Sequence, residues 1–152
     1  MNEEFDWILA QMPDLFHQLE SSDLLSRDNL RQVPQQGVYV LYEESKPIYV
    51  GRSDHLKERL YKHSRPSSGH GSATFAFNLA KEEADRKGMS ILRTRKQLED
   101  DPDFKDMFMQ AKKRVYRMKI RVVLVDDPAL QTVFEVYVAL TLKTPYNSFI
   151  TH

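Results

Sequence analysis

The sequence predicts an α+β fold in which a small three-stranded antiparallel sheet is flanked by helices. Two short runs rich in β-branched and aromatic residues, Val38–Tyr42 and Pro47–Val50, are separated by the polar loop Glu43–Lys46, a pattern typical of a hairpin. A third run of the same character spans Met118–Val125. The segments around these runs carry apolar residues at helical spacing, so each face of the sheet has helices to pack against it.

The composition is that of a globular protein: 41% of the 152 residues are apolar, 11% aromatic and 29% charged. This length fits one domain with its own hydrophobic core. The chain has no cysteine, which excludes a disulfide framework and a thiolate zinc site. No apolar run approaches the roughly 18 residues of a membrane span, and no segment resembles a signal peptide. We therefore expect a cytoplasmic protein that has no membrane partner.

Residues 1–36 are expected to form an N-terminal helical arm packed on the core, and residues 37–152 to form the main domain. Pro13 either ends the first helix of the arm or lies in the first turn of a second one. Residues 23–36 are a polar connector. The helical character of the arm comes from apolar residues at helical spacing, namely Phe5, Ile8, Leu9 and Met12.

The hairpin is followed by a short helix that carries a cation on its apolar side. Gly51 is expected to end the second strand, and Ser53 and Asp54 offer a helix N-cap. In the helix that follows, Arg59 and His63 share one face with two leucines. A guanidinium is the natural fork for a phosphate group. The alternative is a salt-bridged arginine at the edge of an apolar stripe.

Residues from about 66 to 117 form a helical insertion that starts with a loop rich in Gly, Ser and Pro. In this loop His70 lies between Gly69 and Gly71, where backbone N–H groups could bind an anion. A plain connection is the alternative. Helices are predicted from Thr74 to about Lys87 and from Pro102 onward, whereas residues 89–101 show no clear pattern.

A late helix opens at the Asp127-Pro128 pair and runs to about Leu142, with Glu135 as its one charged residue. A helix this apolar is mostly buried, and a lone carboxylate within it needs a partner or a metal ion. Alternatively, Glu135 occupies the one solvent-facing stripe, with Gln131 one turn before it. Beyond the helix, a short tail runs to His152.

The formal net charge is zero, but the charges are unevenly distributed. Residues 1–35 hold two basic and seven acidic side chains, a net charge of −5. Residues 86–121 hold twelve basic and five acidic side chains, a net charge of +7. A basic segment in a neutral chain can still neutralise several phosphates. Solvated helix faces are the alternative explanation of this segment.

Two sequence triplets, Gly37-Val38-Tyr39 and Tyr49-Val50-Gly51, resemble the paired signature of the GIY-YIG nuclease superfamily. The helix arginine of that family lies eight residues past the last glycine, which is Arg59 here, and a histidine often follows four residues later. The metal-binding Glu and the later Asn of the family correspond to Glu135 and Asn147. The resemblance covers residues 37–63 and about 119–147.

This resemblance implies a GIY-YIG endonuclease-like fold and a metal-dependent endonuclease that hydrolyses nucleic acid, with DNA as the favoured substrate. Glu135 would be the ligand of a single Mg²⁺ or Mn²⁺ ion. Arg59 would hold the scissile phosphate and offset its developing charge. Tyr39 is the candidate general base and Tyr49 a hydrogen-bond donor to phosphate or water, although the sequence does not decide which tyrosine has which role.

The resemblance also implies lesser roles. His63 would assist catalysis or bind phosphate, His70 is a weaker substrate-binding candidate, and Asn147 would brace the site or contact substrate. Because no separate DNA-binding module is recognisable, the target would be chosen by the insertion, by residues 86–121 or by an unknown protein partner. A non-catalytic nucleic-acid-binding module and an RNA- or structure-specific nuclease stay open as alternatives.

Overall fold

The computed structural model describes residues 2–149, and within them no helix combines the length and apolar character needed to cross a membrane. The predicted tail to His152 therefore ends outside the described residues. In chain order the elements are α1 (Glu3–Ser21), β1 (Gly37–Glu43), β2 (Lys46–Ser53), α2 (Leu56–Lys62), α3 (Thr74–Arg86), α4 (Arg95–Asp100), α5 (Pro102–Tyr116), β3 (Lys119–Leu124) and α6 (Pro128–Leu142).

The chain forms two compact units. Unit 1 comprises residues 2–57 and 118–149, and unit 2 comprises Glu58–Arg117. Unit 1 therefore contains the sheet, α1, α6 and the first residues of α2. Unit 2 contains the rest of α2 together with α3, α4 and α5.

The sheet has the strand order β2-β1-β3, and both strand pairs are antiparallel. The predicted three-stranded antiparallel sheet is thus confirmed. β1 is the central strand and is buried along nearly its whole length, whereas β2 is an edge strand. Glu44 and Ser45 connect β1 to β2 with φ angles of 50° and 70°. Two successive positive φ angles give the tight turn whose twist matches that of a hairpin.

β2 continues through Gly51 to Ser53, so the prediction that Gly51 ends this strand is wrong. Gly51 pairs with Tyr39 of β1, and the Tyr39 ring occupies the space that a Cβ atom at position 51 would need. Gly37 meets a similar limit, because its Cβ would collide with the backbone carbonyl of Val123 on β3. Both glycines are thus required by close packing within the sheet.

One face of the sheet packs against α1 and α6. Because side chains alternate along a strand, Val38, Val40 and Val50 share this face, whereas Tyr39 and Tyr49 point to the other face. The helices contribute a set of buried apolar side chains to the same core: Ile8, Met12, Leu19, Leu130, Phe134, Val138 and Ala139.

α1 is a single helix of 19 residues that contains Pro13, so neither predicted position of this proline at a helix boundary is correct. Proline removes one backbone hydrogen bond from a helix interior. Here the buried residues Met12 and Leu19, on either side of Pro13, both pack into the unit 1 core. Burial on both sides therefore outweighs the local cost of the proline.

Unit 2 has a core of aromatic side chains. Phe77 of α3 contacts Phe104 and Phe108 of α5, with ring centroids 5.2 and 5.5 Å apart. Residues 89–101 show no clear pattern in the sequence, but α4 forms there and begins with a capping box between Thr94 and Gln97. Six residues are too few to show helical periodicity, which is why the pattern missed this helix.

Gly37→Ala should destabilise the protein by about 3 kcal/mol, because the added methyl group overlaps the β3 backbone, which cannot move without breaking strand pairing. For a chain of this size the melting temperature should fall by roughly 6–12 °C in a circular dichroism melt. Gly71→Ala is the matched control, since a Cβ atom there meets nothing within 4 Å. Equal melting temperatures for the two variants would contradict the close approach at Gly37.

Candidate functional site

The two signature tyrosines lie side by side on one face of the β1–β2 hairpin, with ring centroids 6.4 Å apart. Tyr39 is only 1% exposed and is held over Gly51, whereas Tyr49 is half-buried. Both rings are fixed by strand geometry rather than by a loop. Tyr49 is therefore the more accessible side chain of the two.

Glu135 lies on α6 beside Arg52 of β2, with 4.0 Å between Glu135 Oε1 and Arg52 Nε. The side chains are 30% and 42% exposed, respectively. Burial raises the pKa of the Glu135 carboxyl, and the Arg52 guanidinium opposes this rise. The partner that a lone carboxylate in an apolar helix requires is thus Arg52.

Gln131 connects Arg52 to the interior. Its Oε1 accepts a hydrogen bond of 3.1 Å from Arg52 Nη1, and its Nε2 donates to the carbonyl of Val125 at 3.0 Å and to Asp54 Oδ1 at 3.4 Å. Gln131 is 1% exposed. The alternative in which Gln131 and Glu135 share a solvent-facing stripe is therefore wrong, because Gln131 is buried and the exposed stripe of α6 is formed by Thr132, Val136 and Leu140.

Asn147 braces the edge strand. Its Oδ1 accepts from the Val50 amide at 2.8 Å, and its Nδ2 donates to the Val50 carbonyl at 2.8 Å. The hydroxyl of Thr144 donates to the same Oδ1 at 2.8 Å. The carboxamide thus replaces a neighbouring strand at Val50. These bonds support the bracing role of Asn147, whereas substrate binding by this residue stays a prediction.

Arg59 of α2 and His63, the residue after α2, lie one helical turn apart, and the backbone N–H of His63 donates to the Arg59 carbonyl. Arg59 Nη1 donates to the carbonyl of Ser72 at 3.2 Å. His63 is 1% exposed, and its ring makes an edge contact with Phe75. Burial, and secondarily the charge of Arg59, lowers the pKa of His63 to about 3. His63 is therefore a neutral imidazole at pH 7, while Arg59 is only partly buried.

His70 lies in a loop whose backbone N–H already binds an anion of the same chain, the carboxylate of Glu99. The Glu99 carboxylate accepts the backbone N–H of His70 at 2.5 Å and lies 3.0 Å from its Nδ1. The ring of His70 packs against Phe77, with 5.9 Å between centroids. Glu99 thus takes the position that a substrate anion would need, so the role of His70 in binding substrate stays a prediction that no contact favours.

A divalent cation fits this site through a single protein carboxylate. Among residues 2–149 no group of three or more His, Asp or Glu side chains could hold a metal ion. Mg²⁺ is commonly bound by one or two carboxylates, with water and substrate phosphate oxygens completing its octahedron. Glu135 is partly exposed and can serve as that one ligand.

Arg52 and Gln131 are the polar groups that the sequence did not identify as part of the site. One signal for Arg52 was present: it follows Val50 by two residues, and alternation along a strand places both on the same face. Because the strand was expected to end at Gly51, the alternation was not extended to Arg52. Gln131 and Glu135 are four residues apart in α6, a spacing that puts both on the side facing β2.

Residues 35–98 match the family model of the GIY-YIG catalytic domain. The matched segment contains both signature triplets, Arg59 and His63, and ends within α4, whereas Glu135 and Asn147 lie beyond it. Neither a search of curated proteins nor a search of solved structures gave a match.

The protein should lose stability as the pH falls below about 6.5, because the unfolded chain then protonates His63 while the folded chain keeps it neutral down to about pH 3. Each pH unit in this window costs about 1.4 kcal/mol, or ~2 kcal/mol between pH 6.5 and 5. Urea unfolding at several pH values measures the slope. His63→Phe should flatten it, and His55→Phe, at an exposed position, is the matched control. A slope unchanged by His63→Phe would contradict the buried neutral imidazole.

Asn147→Ala should lower stability by about 1–2 kcal/mol, because it leaves the N–H and C=O of Val50 without their side-chain partner. A thermal melt should show a fall of roughly 2–8 °C. Asn78→Ala, at an exposed position in α3, should be neutral or slightly stabilising because alanine favours helix. If both variants melt alike, Asn147 does not brace β2.

Proposed function

Because this chain belongs to the GIY-YIG nuclease superfamily, we propose that it is a divalent-metal-dependent endonuclease that hydrolyses phosphodiester bonds in nucleic acid, with DNA as the favoured substrate. The observation that carries the proposal is the half-buried Glu135, the one charged residue of α6, held beside β2. β2 also carries the second signature triplet, so the carboxylate and the signature belong to adjacent elements of unit 1.

The carboxylate of Glu135 would hold the metal ion. When bound, such an ion acts as a Lewis acid on the phosphate and stabilises the leaving oxygen. The Arg52–Gln131 hydrogen bond fixes the guanidinium near Glu135, which keeps positive charge close to this carboxylate before any metal binds. The donor set, one carboxylate with room for water and phosphate oxygens, suits Mg²⁺ or Mn²⁺.

Arg59 is the proposed phosphate-binding cation, and its fixed hydrogen bond to Ser72 limits its motion. Tyr39 is the proposed general base, with a ring immobilised over Gly51. The more accessible Tyr49 would hydrogen-bond the phosphate or the attacking water. His63 is neutral and buried, so we assign it to positioning Arg59 from one helical turn away rather than to binding phosphate by charge.

One observation favours the alternative of a binding module without turnover. Arg52 already supplies Glu135 with the opposite charge that a half-buried carboxylate needs, so the fold does not require a metal ion at this position. A structure-specific or RNA-directed nuclease is compatible with the same residues. The substrate panel below distinguishes these possibilities.

The purified protein should cut nucleic acid in the presence of Mg²⁺ or Mn²⁺ and should not cut with excess chelator. The panel comprises supercoiled plasmid, duplex, single-stranded and branched DNA, and RNA, with products resolved on gels. Glu135→Gln and Arg59→Ala should each lower the cleavage rate at least ~100-fold, because each removes charge stabilisation in the transition state. Tyr39→Phe should lower it by a similar factor if the hydroxyl is the base.

The matched control is Glu58→Gln, which neutralises an exposed carboxylate on α2 and should leave the rate unchanged. Circular dichroism spectra of all variants show whether the fold is retained. Absence of metal-dependent cleavage of every substrate by the folded wild type would refute the endonuclease proposal. Retained nucleic-acid binding in that case would support the binding module instead.

A further inference from the structure

A cleft of about 310 Å³ opens in unit 2 between α5 and the loop that follows α2. One wall is a stripe on α5 in which Met109, Lys112 and Tyr116 share a helix face. Pro66 of the loop lies on the other wall. The volume is at the lower end of the ~300–1,000 Å³ range of small-molecule sites, so the cleft suits one nucleotide rather than a duplex.

A buried lysine connects the two walls of the cleft. Lys112 is 5% exposed, and its Nζ donates to the carbonyls of Pro66 and Ser68 at 2.6 and 2.9 Å. The same ammonium lies 4.3 Å from the ring centroid of Phe108. These contacts hold the loop at a fixed distance from α5, so the walls of the cleft are in place before any ligand binds.

All the charged side chains that line this cleft are positive. Its lining includes three cations, Lys112, Lys113 and Arg117, and no carboxylate. Lys113 and Arg117 are exposed, and within residues 2–149 neither is paired with an acidic side chain. The cleft between α3 and α5 differs, because it also contains Glu83 and Asp106. Of these two clefts in unit 2, the one lined by Lys112, Lys113 and Arg117 therefore complements a polyanion and the other does not.

The cleft also contains an exposed aromatic ring, that of Tyr116. Tyr116 is 38% exposed at the end of α5 and lines the cleft together with Met109 and Pro66. Proteins that bind single strands combine cations along the backbone with exposed rings on which bases stack. In a duplex both faces of a base are covered by its neighbours. The ring and the cations at this cleft thus fit an unpaired nucleotide.

We propose that this cleft binds an unpaired nucleotide of a single-stranded or branched nucleic acid, its base against Tyr116 and its phosphates against Lys113 and Arg117. The assignment deepens the proposed function, on which it rests, by naming the class of substrate that the protein selects. The cleft supplies a contact outside the signature residues and directs cleavage to nucleic acids that contain unpaired segments.

Fluorescence anisotropy of the full chain, in excess chelator so that nothing is cut, tests this assignment. The probes are a labelled 12-nucleotide single-stranded DNA, the RNA of the same sequence and the matching DNA duplex. The wild type should bind the single strands more tightly than the duplex. Tyr116→Ala should weaken single-strand binding about tenfold or more, whereas Tyr116→Phe, which keeps the ring, should bind as the wild type does.

Salt dependence separates a phosphate contact from a structural role. For single strands the slope of log K against log salt falls by about 0.7 for each lost phosphate contact, so Lys113→Ala with Arg117→Ala should lower it by about 1.4. Lys105→Ala is the matched control, exposed on α5 but outside the cleft. A 2-aminopurine base in the probe should be quenched on binding to the wild type and not to Tyr116→Ala.

Tighter binding of the duplex, unchanged binding by both cleft variants or preference for an acidic peptide over every oligonucleotide would overturn the assignment. Its failure and that of the proposed function are distinguishable. If the wild type cuts nucleic acid but its binding does not depend on Tyr116, the proposed role of the cleft is refuted and the endonuclease proposal is not. If the wild type cuts no substrate but binds single strands through Tyr116, the endonuclease proposal is refuted and the proposed role of the cleft is not.

Discussion

The ring of Tyr39 occupies the space in which any residue larger than glycine at position 51 would place its Cβ atom. Because Gly51 accepts this ring, β2 stays paired with β1 as far as Ser53 instead of turning away. Alternation along the continuing strand then directs Arg52 to the face that packs on α6. The contact of Arg52 with Glu135 therefore depends on a packing relation within the hairpin.

The edge strand β2 is held by polar side chains rather than by a fourth strand. Gln131 of α6 binds Arg52 near its end, and Asn147 satisfies both backbone groups of Val50. An exposed strand edge offers unpaired N–H and C=O groups to other chains. In this protein residues far along the chain cover part of that edge, and the same contacts anchor α6 and its carboxylate beside the strand.

In unit 2, a loop of flexible composition is fixed by charged side chains. Lys112 binds the carbonyls of Pro66 and Ser68, Glu99 binds the amide of His70, and Arg59 binds the carbonyl of Ser72. The basic side chains of residues 86–121 therefore fall into two groups. Some, such as Lys112, bind backbone carbonyls within the protein, and others, such as Lys113 and Arg117, face solvent. Counting charges in a segment does not distinguish the two groups, because the distinction depends on which carbonyl groups lie within reach.

The sequence by itself determined most of the elements and their local signals: the hairpin, the third strand, the Asp127 cap of α6, and the spacing of Gly51 and Arg59 that indicates the family. These features depend on neighbours a few residues apart, which a sequence displays directly. Only the tertiary structure decided that Arg52 is the partner of Glu135, that Gln131 is buried and that Glu99 binds the His70 loop. The contacts of His70 with Glu99, of Arg52 with Gln131 and of Arg52 with Glu135 join residues 29, 79 and 83 positions apart, and burial and charge compensation at such distances arise from packing.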